Sequence, residues 1–511
     1  MNLVLVLMLT VPLAPALAAV VAPPAVTKAL SAAVGVGAFA ATIALVPAAV
    51  HPGGLGIGFL HVDALSAVFL LATGFLYASA AVYSLGYLRG EPSTKYERRF
   101  YAGLNLFAWS MLAAPAMNGL ALLWIAVEIT TVVSALLVAI DYTNEAIEAS
   151  WKYVLIASAG LGIALLATIF MYYAGATVLG SSYDLAFVPL LHAGTALPHT
   201  AVRIAFVLAV LGFGTKVGLF PVHTWLPDAH SQAPTPISAL LSGALLATSF
   251  YAVLRFYEIA AASLGPAFPR TVLLVFGIAS LALAALYLLD QRDIKRMLAY
   301  SSVEHMGILA IAVSFGAPLA LFGALLHVLA HAAAKGNAFF GAGILVRRYN
   351  TKDMNRIRGA GGVLPWTTPL FLLAVLALSA MPPFGLFRSE FAIVAGGLQG
   401  SRNAGTVLLV ALVTLAFLGL ATQVTRIVYS PDPSFRGSYV DPSEGGAAES
   451  PAGAPDGGGS GIPTAERGEV SAWTVAPMLA GLAALLLLGI YPPTGLSHLL
   501  TEAASQLGAR P

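Results

Sequence analysis

A single lysine inside a long apolar run is the residue with the clearest chemical consequence in this sequence. Lys216 ends the apolar stretch that begins at Ile204, and Gly218 and Pro221 follow it directly. An ammonium group inside a bilayer is costly, so such residues usually face a bundle interior or a water-filled cavity. Because proline removes a backbone donor, the helix is expected to break beside the charge. The pattern predicts an ion or proton path, and a lysine that reaches the membrane surface is the alternative.

A lone carboxylate occurs in a second apolar segment, LLWIAVEITTVVSALLVA, where Glu128 is the acid. A buried carboxylate either takes up a proton or pairs with a cation. We expect Lys216 to be the partner of Glu128. A neutral glutamic acid that hydrogen-bonds between helices is the alternative.

Three basic residues are spaced by four in GALLHVLAHAAAKGNAFF, namely His327, His331 and Lys335. This spacing places them on one face of a helix. Imidazoles titrate near physiological pH, so the stripe predicts a proton relay. We expect no metal or haem site, because no further ligand cluster is visible and Lys335 would repel a cation. An inert pair of core histidines is the other alternative.

A second interrupted helix is predicted in WTTPLFLLAVLALSAMPPFGLFRSEF, where Pro382, Pro383 and Gly385 precede Glu390. This repeats the break and the charge that surround Lys216, five predicted spans later. An odd offset predicts two five-helix repeats of inverted topology. Glu390 is then the expected terminal proton site, facing the outside.

Five further residues are candidates for an entrance or for secondary positions on the path. Glu304 and His305 enter the membrane directly behind a cluster of bases, which suggests a cytoplasmic entrance. The others are Asp63, at the outer end of a predicted span, and His223 and His230, which lie close behind the first break.

Composition places the chain in the membrane. It has 511 residues, of which 59% are hydrophobic and 9% charged, and this excludes a soluble globular protein. Apolar runs of about twenty residues predict an all-α polytopic protein rather than a barrel. The chain has no cysteine, so redox chemistry coupled to it must reside in a partner, and we expect no cofactor in this chain. We find no nucleotide site and no nucleic-acid surface.

Fourteen apolar segments are long enough to span a bilayer. They lie at about 3–21, 29–50, 64–88, 100–117, 119–140, 152–175, 203–222, 236–257, 270–289, 297–315, 318–346, 366–395, 406–429 and 472–491. Of the 25 lysines and arginines, 17 fall in loops that follow odd-numbered spans and five on the opposite side. The positive-inside rule then predicts both termini on the non-cytoplasmic side of the inner membrane. The remaining three bases, Lys216, Lys335 and Arg388, are predicted within the membrane.

The predicted organisation has five parts. Helices 1 to 3 occupy 1–99, the two repeats 100–258 and 259–430, a disordered cytoplasmic linker 431–471, and helix 14 with the tail 472–511. The linker is predicted from its content of proline, glycine and serine.

Several motifs together resemble one family of membrane proteins. They are PVHTWLPDAHSQAPTPISALLSG at 221–243, KRMLAYSSVEHMGI at 295–308, MPPFGLFRSEF at 381–391 and the Asp-x-Leu-Ser sequence at 63–66. The chain resembles the antiporter-like, proton-translocating subunits of respiratory complex I, of multisubunit Na⁺/H⁺ antiporters and of membrane-bound NiFe hydrogenases. The stripe of His327, His331 and Lys335 and the motif MPPFGLFRSEF at 381–391 look most like the hydrogenase-4 or formate-hydrogenlyase type.

The resemblance implies a fold and a function. It implies fourteen helices, discontinuous helices 7 and 12, and a buried polar axis through Glu128, Lys216, the span 11 histidines and the span 12 charge. It also implies a proton-translocating subunit whose partners are other membrane subunits and a peripheral redox arm of NiFe-hydrogenase or quinone-reductase modules. The alternatives are a Na⁺/H⁺ or K⁺/H⁺ antiporter subunit without redox input, a membrane subunit of an inorganic-carbon uptake system, and a structural anchor.

One position departs from the family pattern. Several relatives carry a lysine in span 8 where this chain aligns Ala247. The link from Lys216 to the second repeat is then expected to use water, His327, or hydroxyl groups. The hydroxyl candidates are Ser242, Thr248 and Ser249.

Overall fold

The computed structural model describes residues 1–91, 93–429 and 468–508, and most of them are helical. The predicted linker therefore lies outside the described residues, except for its last four positions. The helices are α1 Asn2–Thr10, α2 Leu13–Val21, α3 Pro24–Ala49, α4 Ala64–Tyr87, α5 Thr94–Ala116, α6 Leu120–Val138, α7 Asn144–Leu179, α8 Phe187–Ala193, α9 His199–Val217, α10 Trp225–Gln232, α11 Thr235–Leu240, α12 Leu246–Leu264, α13 Ala267–Leu288, α14 Ile294–Phe315, α15 Pro318–Tyr349, α16 Ala360–Val363, α17 Thr367–Leu378, α18 Gly385–Gln399, α19 Asn403–Tyr429, α20 Ala472–Ile490 and α21 Thr494–Gln506. A π-helical turn at Leu241–Leu245 joins α11 to α12, and strands β1 (Leu55–Ile57) and β2 (Leu60–Val62) form an antiparallel hairpin.

Twelve helical segments in the described part of the chain are long and apolar enough to cross a membrane. The all-α polytopic fold predicted from composition is confirmed. Two of the fourteen predicted spans do not meet this criterion on their own. One corresponds to α5, whose first turns are charged, and the other to the interrupted pair α17 and α18. The count of fourteen and the inverted repeats therefore stay predictions.

The first helix break is built around Gly218. Helix α9 ends when Gly218 adopts the left-handed conformation (φ 84°), and the amides of Gly218 and Leu219 both donate to the carbonyl of Gly214 at 2.9 Å. Such a C-cap strongly favours glycine. A Cβ at Gly218 would also lie 2.5 Å from Leu226. Pro221 lies in the non-helical connection to α10, and the indole of Trp225 on α10 donates to the carbonyl of Thr215 in the last turn of α9 at 2.7 Å.

The second break separates α17 from α18. Helix α17 ends at Leu378, and Pro382 and Pro383 occupy the connection. Gly385 is the first residue of α18, where a Cβ would lie 2.8 Å from Leu488 and 3.1 Å from Ala330. The absence of a side chain at Gly385 therefore lets α18 approach both α15 and α20.

Helix α15 is the centre of the second half. It packs against α4, α14, α17, α18 and α20. The α11–α12 segment and α14 are also buried over their most apolar stretches. Side chains on these elements are consequently shielded by protein on every side, which is the condition under which an ionisable group in a membrane is tolerated.

Arg388 does not belong to the buried set, contrary to the prediction. Its side chain is exposed, and its guanidinium donates to the carbonyls of Gly489 and Ile490 at 3.4 and 3.3 Å. It therefore caps the carboxyl end of α20, where a cation is favoured by the helix dipole.

Candidate functional site

Lys216 is fully buried in the last turn of α9. Its Nζ donates to the hydroxyl of Thr131 on α6 and lies 5.2 Å from the centre of the Tyr153 ring on α7. The carboxyl end of a helix favours a cation, and an aromatic face attracts one. These contacts offset part of the cost of burying the ammonium group, although none of them supplies a full negative charge.

Glu128 lies near Lys216 but is not in contact with it. Ser158 donates to Glu128 Oε1 at 3.5 Å, and Glu128 Oε2 has no hydrogen-bond partner in the described ranges of the chain. The carboxylate and the ammonium interact electrostatically, but every nitrogen–oxygen distance between them is longer than 4.0 Å, the limit for an ion pair. Because Thr131 lies three residues after Glu128 on the same helix face, it takes the ammonium of Lys216. Glu128 and Lys216 therefore interact electrostatically without forming a contact ion pair.

Lys335 on α15 repeats this arrangement in the second half. Its fully buried Nζ donates to the carbonyl of Leu298 at 2.7 Å and to the hydroxyl of Ser301, both on α14. Glu304 lies three residues after Ser301 and interacts electrostatically with Lys335, and its Oε2 has no hydrogen-bond partner within the described part of the chain. Glu304 is buried deep in α14 rather than at its start. Each half therefore contains a lysine, a hydroxyl that binds it, and a carboxylate held slightly apart.

A cluster of imidazoles extends from Lys335 along α15. His305 Nδ1 and His327 Nε2 are 3.1 Å apart, and His327 Nδ1 is 3.0 Å from the hydroxyl of Ser389 on α18. The ring of His331 lies 5.0 Å from that of His305, centre to centre. The predicted stripe is buried as expected. The rings of His327 and His331 stack at 6.3 Å between centres, but the hydrogen bonds of His327 run to His305 on α14 and Ser389 on α18.

Glu390 closes this cluster from the side of the second break. It is half-buried in the second turn of α18, and one of its oxygens lies within 4.8 Å of ring nitrogens of both His305 and His327. A cavity of about 420 Å³, lined by Glu390, by the break and by α19, adjoins it. Glu390 therefore connects the buried imidazoles with a space at the break.

A row of aromatic rings links the two halves. The Tyr153 ring beside Lys216 lies 4.5 Å from Trp225, Trp225 lies 6.0 Å from His230, and His230 lies 6.0 Å from Phe339 on α15, all measured between ring centres. His230 is fully buried at the middle of this row. His223, the other candidate histidine behind the break, is buried in the connection between α9 and α10.

The surroundings of Ala247 separate the three hydroxyl candidates. The hydroxyl of Ser242 lies 2.7 Å from that of Ser302 on α14. Ser249 bonds to a carbonyl of its own helix, and the Thr248 hydroxyl has no partner. Of the three candidates, Ser242 is thus the one that contacts α14, and Ser302 is the neighbour of the serine that binds Lys335.

Asp63 belongs to a separate cluster. Its carboxylate caps α4 and forms an ion pair of 2.6 Å with Arg255, which also pairs with Glu258 at 2.8 Å. Burial alone would raise the pKa of Asp63, but Arg255 holds it below its ordinary value. Burial lowers the pKa of His61, whose Nε2 is 3.9 Å from Asp63. The contacts of Asp63 link α4 to α12, and they include neither buried lysine.

Comparison with known proteins identifies the family. Residues 117–419 match the family described as NADH:quinone oxidoreductase/Mrp antiporter, transmembrane region. The chain belongs to this family. It is an antiporter-like membrane subunit, as the motifs predicted, and the resemblance to hydrogenase-4-type subunits is confirmed.

Three relatives show how far the similarity extends. The chain is 37% identical over 368 residues to the hydrogenase-4 component F homolog of Methylacidiphilum infernorum, covering 70% of this chain and 76% of the relative. It is similar to a chain of the archaeal membrane-bound sulfane sulfur reductase, with a TM-score of 0.82, 20% identity, and 99% and 97% of the two chains covered. For respiratory complex I of Thermus thermophilus the TM-score is 0.78, with 24% identity over 99% and 100% of the chains. The two structural likenesses show a shared fold.

The roles of several residues at the site were not predicted from the sequence. Thr131, Ser301 and Ser389 bind Lys216, Lys335 and His327 respectively. A hydroxyl three residues from each lone carboxylate was a usable signal for the first two, because that spacing places both groups on one helix face. Arg255 was counted among the five bases on the non-cytoplasmic side. Its spacing of three from Glu258 was a usable signal for that pair, but nothing in its local sequence indicates Asp63.

Proposed function

We propose that this chain is the proton-translocating subunit of a multisubunit, redox-driven membrane complex. The proposal rests on the position and the contacts of Lys216. It is a fully buried ammonium at a helix break, and within the described part of the chain it donates its hydrogen bond to the neutral hydroxyl of Thr131. A charge held in this way is easily neutralised by loss of a proton, whereas a charge in a contact ion pair is not.

Glu128 is the group that controls this proton. When its carboxylate is ionised and close to Lys216, the ammonium form is stabilised. When the carboxylate is drawn away or protonated, the buried ammonium loses this compensation and releases its proton. The gap between the two side chains leaves room for both positions. A redox reaction in a partner would shift Glu128 between them.

The second half would continue the route. Lys335 and Glu304 repeat the unit, with Ser242 and Ser302 or the row through His230 as the connection from Lys216. His327 and His331 then lead toward Glu390, and the cavity at the second break is the outlet. This order places the terminal site on the non-cytoplasmic side, as the positive-inside rule predicts.

The partners follow from the relatives. The hydrogenase-4 component F homolog and complex I are named as parts of multisubunit assemblies, so we assign to this chain neighbouring membrane subunits and a peripheral redox arm of the NiFe-hydrogenase or quinone-reductase kind. The cofactors would reside in that arm.

The chain would lie in the inner membrane with both termini outside. Because the chain has no cysteine, an Asn2→Cys variant tests this: a membrane-impermeant maleimide should label it in intact cells, and absence of labelling would contradict the topology.

The function is tested on the whole complex, purified through a tag on this chain and reconstituted into liposomes. Electrons are supplied as NADH or H₂, and a pH-sensitive dye reports the protons moved per electron. Lys216→Ala should lower this ratio by about a hundredfold, the scale of lost acid–base participation, while the redox subunits still co-purify.

Lys95→Ala is the matched control, because Lys95 is an exposed lysine on α5, and its ratio should equal that of the unmodified complex. An unchanged ratio in Lys216→Ala would overturn the proton path. Purification of a complete complex without any redox subunit would overturn the redox coupling.

A further inference from the structure

Three different helices bring metal-ligating groups to one point beside the second break. His305 lies on α14, His327 on α15 and Glu390 on α18, and one ligand atom from each lies within 4.8 Å of the other two. Both histidines are fully buried. From this convergence we infer that His305, His327 and Glu390 form a binding site for a divalent transition metal of the Zn²⁺ class.

The distances fit a metal ion. Tetrahedral coordination with metal–nitrogen bonds of about 2.0–2.1 Å separates two ligand nitrogens by about 3.3 Å. His305 Nδ1 and His327 Nε2 are 3.1 Å apart. A small rotation of either ring would therefore admit an ion in place of the proton that they share. Two imidazoles and one carboxylate are a ligand set that zinc enzymes use, with a fourth position open.

The outer contacts of His327 fit a ligand role, whereas His305 Nε2 has no hydrogen-bond partner among the described residues. If His327 binds the ion through Nε2, its Nδ1 donates to the hydroxyl of Ser389 at 3.0 Å, and Ser389 in turn donates to the carbonyl of Leu386 at 2.8 Å. A ligand histidine almost always has such a partner on its other nitrogen, which sets the tautomer and the ring orientation. Ser389 is fully buried, so this support is rigid.

A second observation points to the same place. His331 is fully buried against His305, and neither of its ring nitrogens has a hydrogen-bond partner among the residues that the structure describes. Buried imidazole nitrogens without partners are costly. A metal ion with a bound water beside His331 would satisfy one of them.

The charge of Lys335 does not prevent binding. Its ammonium is directed at Leu298 and Ser301 on α14, and Glu304 lies within electrostatic reach. With Glu304 and Glu390 ionised, the cluster carries two negative charges against one positive charge. A divalent cation is therefore compensated, which the spacing of the stripe alone could not show.

Metal binding has a consequence if the proposed function is right. The ion occupies the nitrogen lone pairs through which His327 would pass a proton, so binding and proton transfer at this point exclude each other. The binding site itself does not depend on that function, and it is measured without any transport.

The test is titration of the full chain with Co²⁺, which is spectroscopically visible when bound by nitrogen in a tetrahedral site. The protein is purified in detergent through a tag without histidines. We expect visible absorption bands that saturate at about one Co²⁺ per chain and disappear when Zn²⁺ is added. His327→Ala and Glu390→Gln should abolish the bands. Ser389→Ala should weaken binding about 10–100-fold with all three ligands kept.

His230→Ala is the control, since it removes a fully buried histidine outside the cluster and should keep the bands. Size-exclusion chromatography verifies that each variant folds. If His327→Ala fails to fold, the isosteric Glu390→Gln variant still tests the site. Absence of saturable bands in the unmodified protein, or unchanged bands in Glu390→Gln, would overturn the site while leaving the proton path of Lys216 untouched.

Discussion

Arg255 and Lys216 are both fully enclosed cations, but they are compensated in opposite ways. The guanidinium of Arg255 has two carboxylates in direct contact, at 2.6 Å from Asp63 and 2.8 Å from Glu258. The ammonium of Lys216 has a hydroxyl in contact and its carboxylate, Glu128, beyond ion-pair distance. Lys335 follows the second pattern.

The difference separates structural from functional charge. A guanidinium keeps its proton in proteins, and two contacting carboxylates fix its position. An ammonium can lose its proton when it is desolvated, and a carboxylate at a distance can modulate that loss. The residue type and the contact distance change together between the two regions, so we read Arg255 as a support that joins α4 to α12 and the lysines as proton carriers.

The two helix breaks make a related comparison. Lys216 lies at the carboxyl end of α9, whereas Glu390 lies in the second turn of α18, near its amino end. The partial charge of a helix end is negative at the carboxyl terminus and positive at the amino terminus. Each break therefore presents a charge of the sign that its helix end favours, and the effect is weaker for Glu390 because it falls off beyond the first turn.

The largest expected effect on stability comes from Arg255→Ala. This change leaves Asp63 and Glu258 buried without a cation, and breaking a buried ion pair in this way costs about 3–5 kcal/mol. Thermal unfolding in detergent should show a clearly lower midpoint. Arg270→Ala is the control, because Arg270 donates to Tyr257 and Gly316 and has no carboxylate in contact. Equal midpoints for the two variants would break the comparison.

Lys335→Met should have the opposite profile. Burying a charge without a contact ion pair is costly, so its replacement by an apolar group removes that cost, and the free energy of unfolding should stay within about 1 kcal/mol of the original or rise. The protons moved per electron should fall by about a hundredfold. A stability loss as large as that of Arg255→Ala would mean that Lys335 is a paired structural charge after all.

Thr131→Ala tests the hydroxyl that binds Lys216. A hydrogen bond to a charged group contributes about 1.5–3 kcal/mol, so the proton-transfer rate should change by about tenfold, and Thr131→Ser should restore it. Thr130→Ala is the control, because the Thr130 hydroxyl bonds to Val127 on its own helix at 2.6 Å. The same loss in both variants would assign Thr131 a packing role.

The smallest effect is a pH dependence at Asp63. Since its folded-state pKa is lowered, the carboxylate contributes stability that is fully present above its unfolded pKa of about 3.9 and is lost as pH falls through the folded value. Unfolding midpoints of the original protein and of Asp63→Asn should therefore differ at neutral pH and converge in acid. A difference that stays constant to low pH would contradict the ion pair.

Much of the fold could be predicted because its signals are local. The apolar runs indicated helices at the right places, and Gly218 and Pro221 indicated the end of α9. The short helix α21 was missed, since its composition is mixed. Arg388 was placed inside the membrane because sequence position alone cannot tell which face of α18 its side chain occupies.

The candidate residues were predictable by type but not by partner. Glu128, Lys216 and Lys335 stand out as isolated charges in apolar segments, whatever surrounds them. Their hydroxyl partners and the Ser389 contact of His327 depend on distances between helices. The His305–His327 contact joins α14 to α15 in the same way, and spacing within either helix contains no information about it.

The sequence by itself determined that the chain is a helical membrane protein and where its helices break. It also determined which ionisable side chains lie in apolar segments, where burial costs free energy and suggests a function. Hydropathy and helical periodicity act within about twenty residues, so the linear order is sufficient for these conclusions. Only the tertiary structure decided which charge contacts which. Packing placed Thr131 in contact with Lys216, gave Arg255 two carboxylates, and brought Glu390 to two histidines on other helices, because contact distances are set by how helices approach one another.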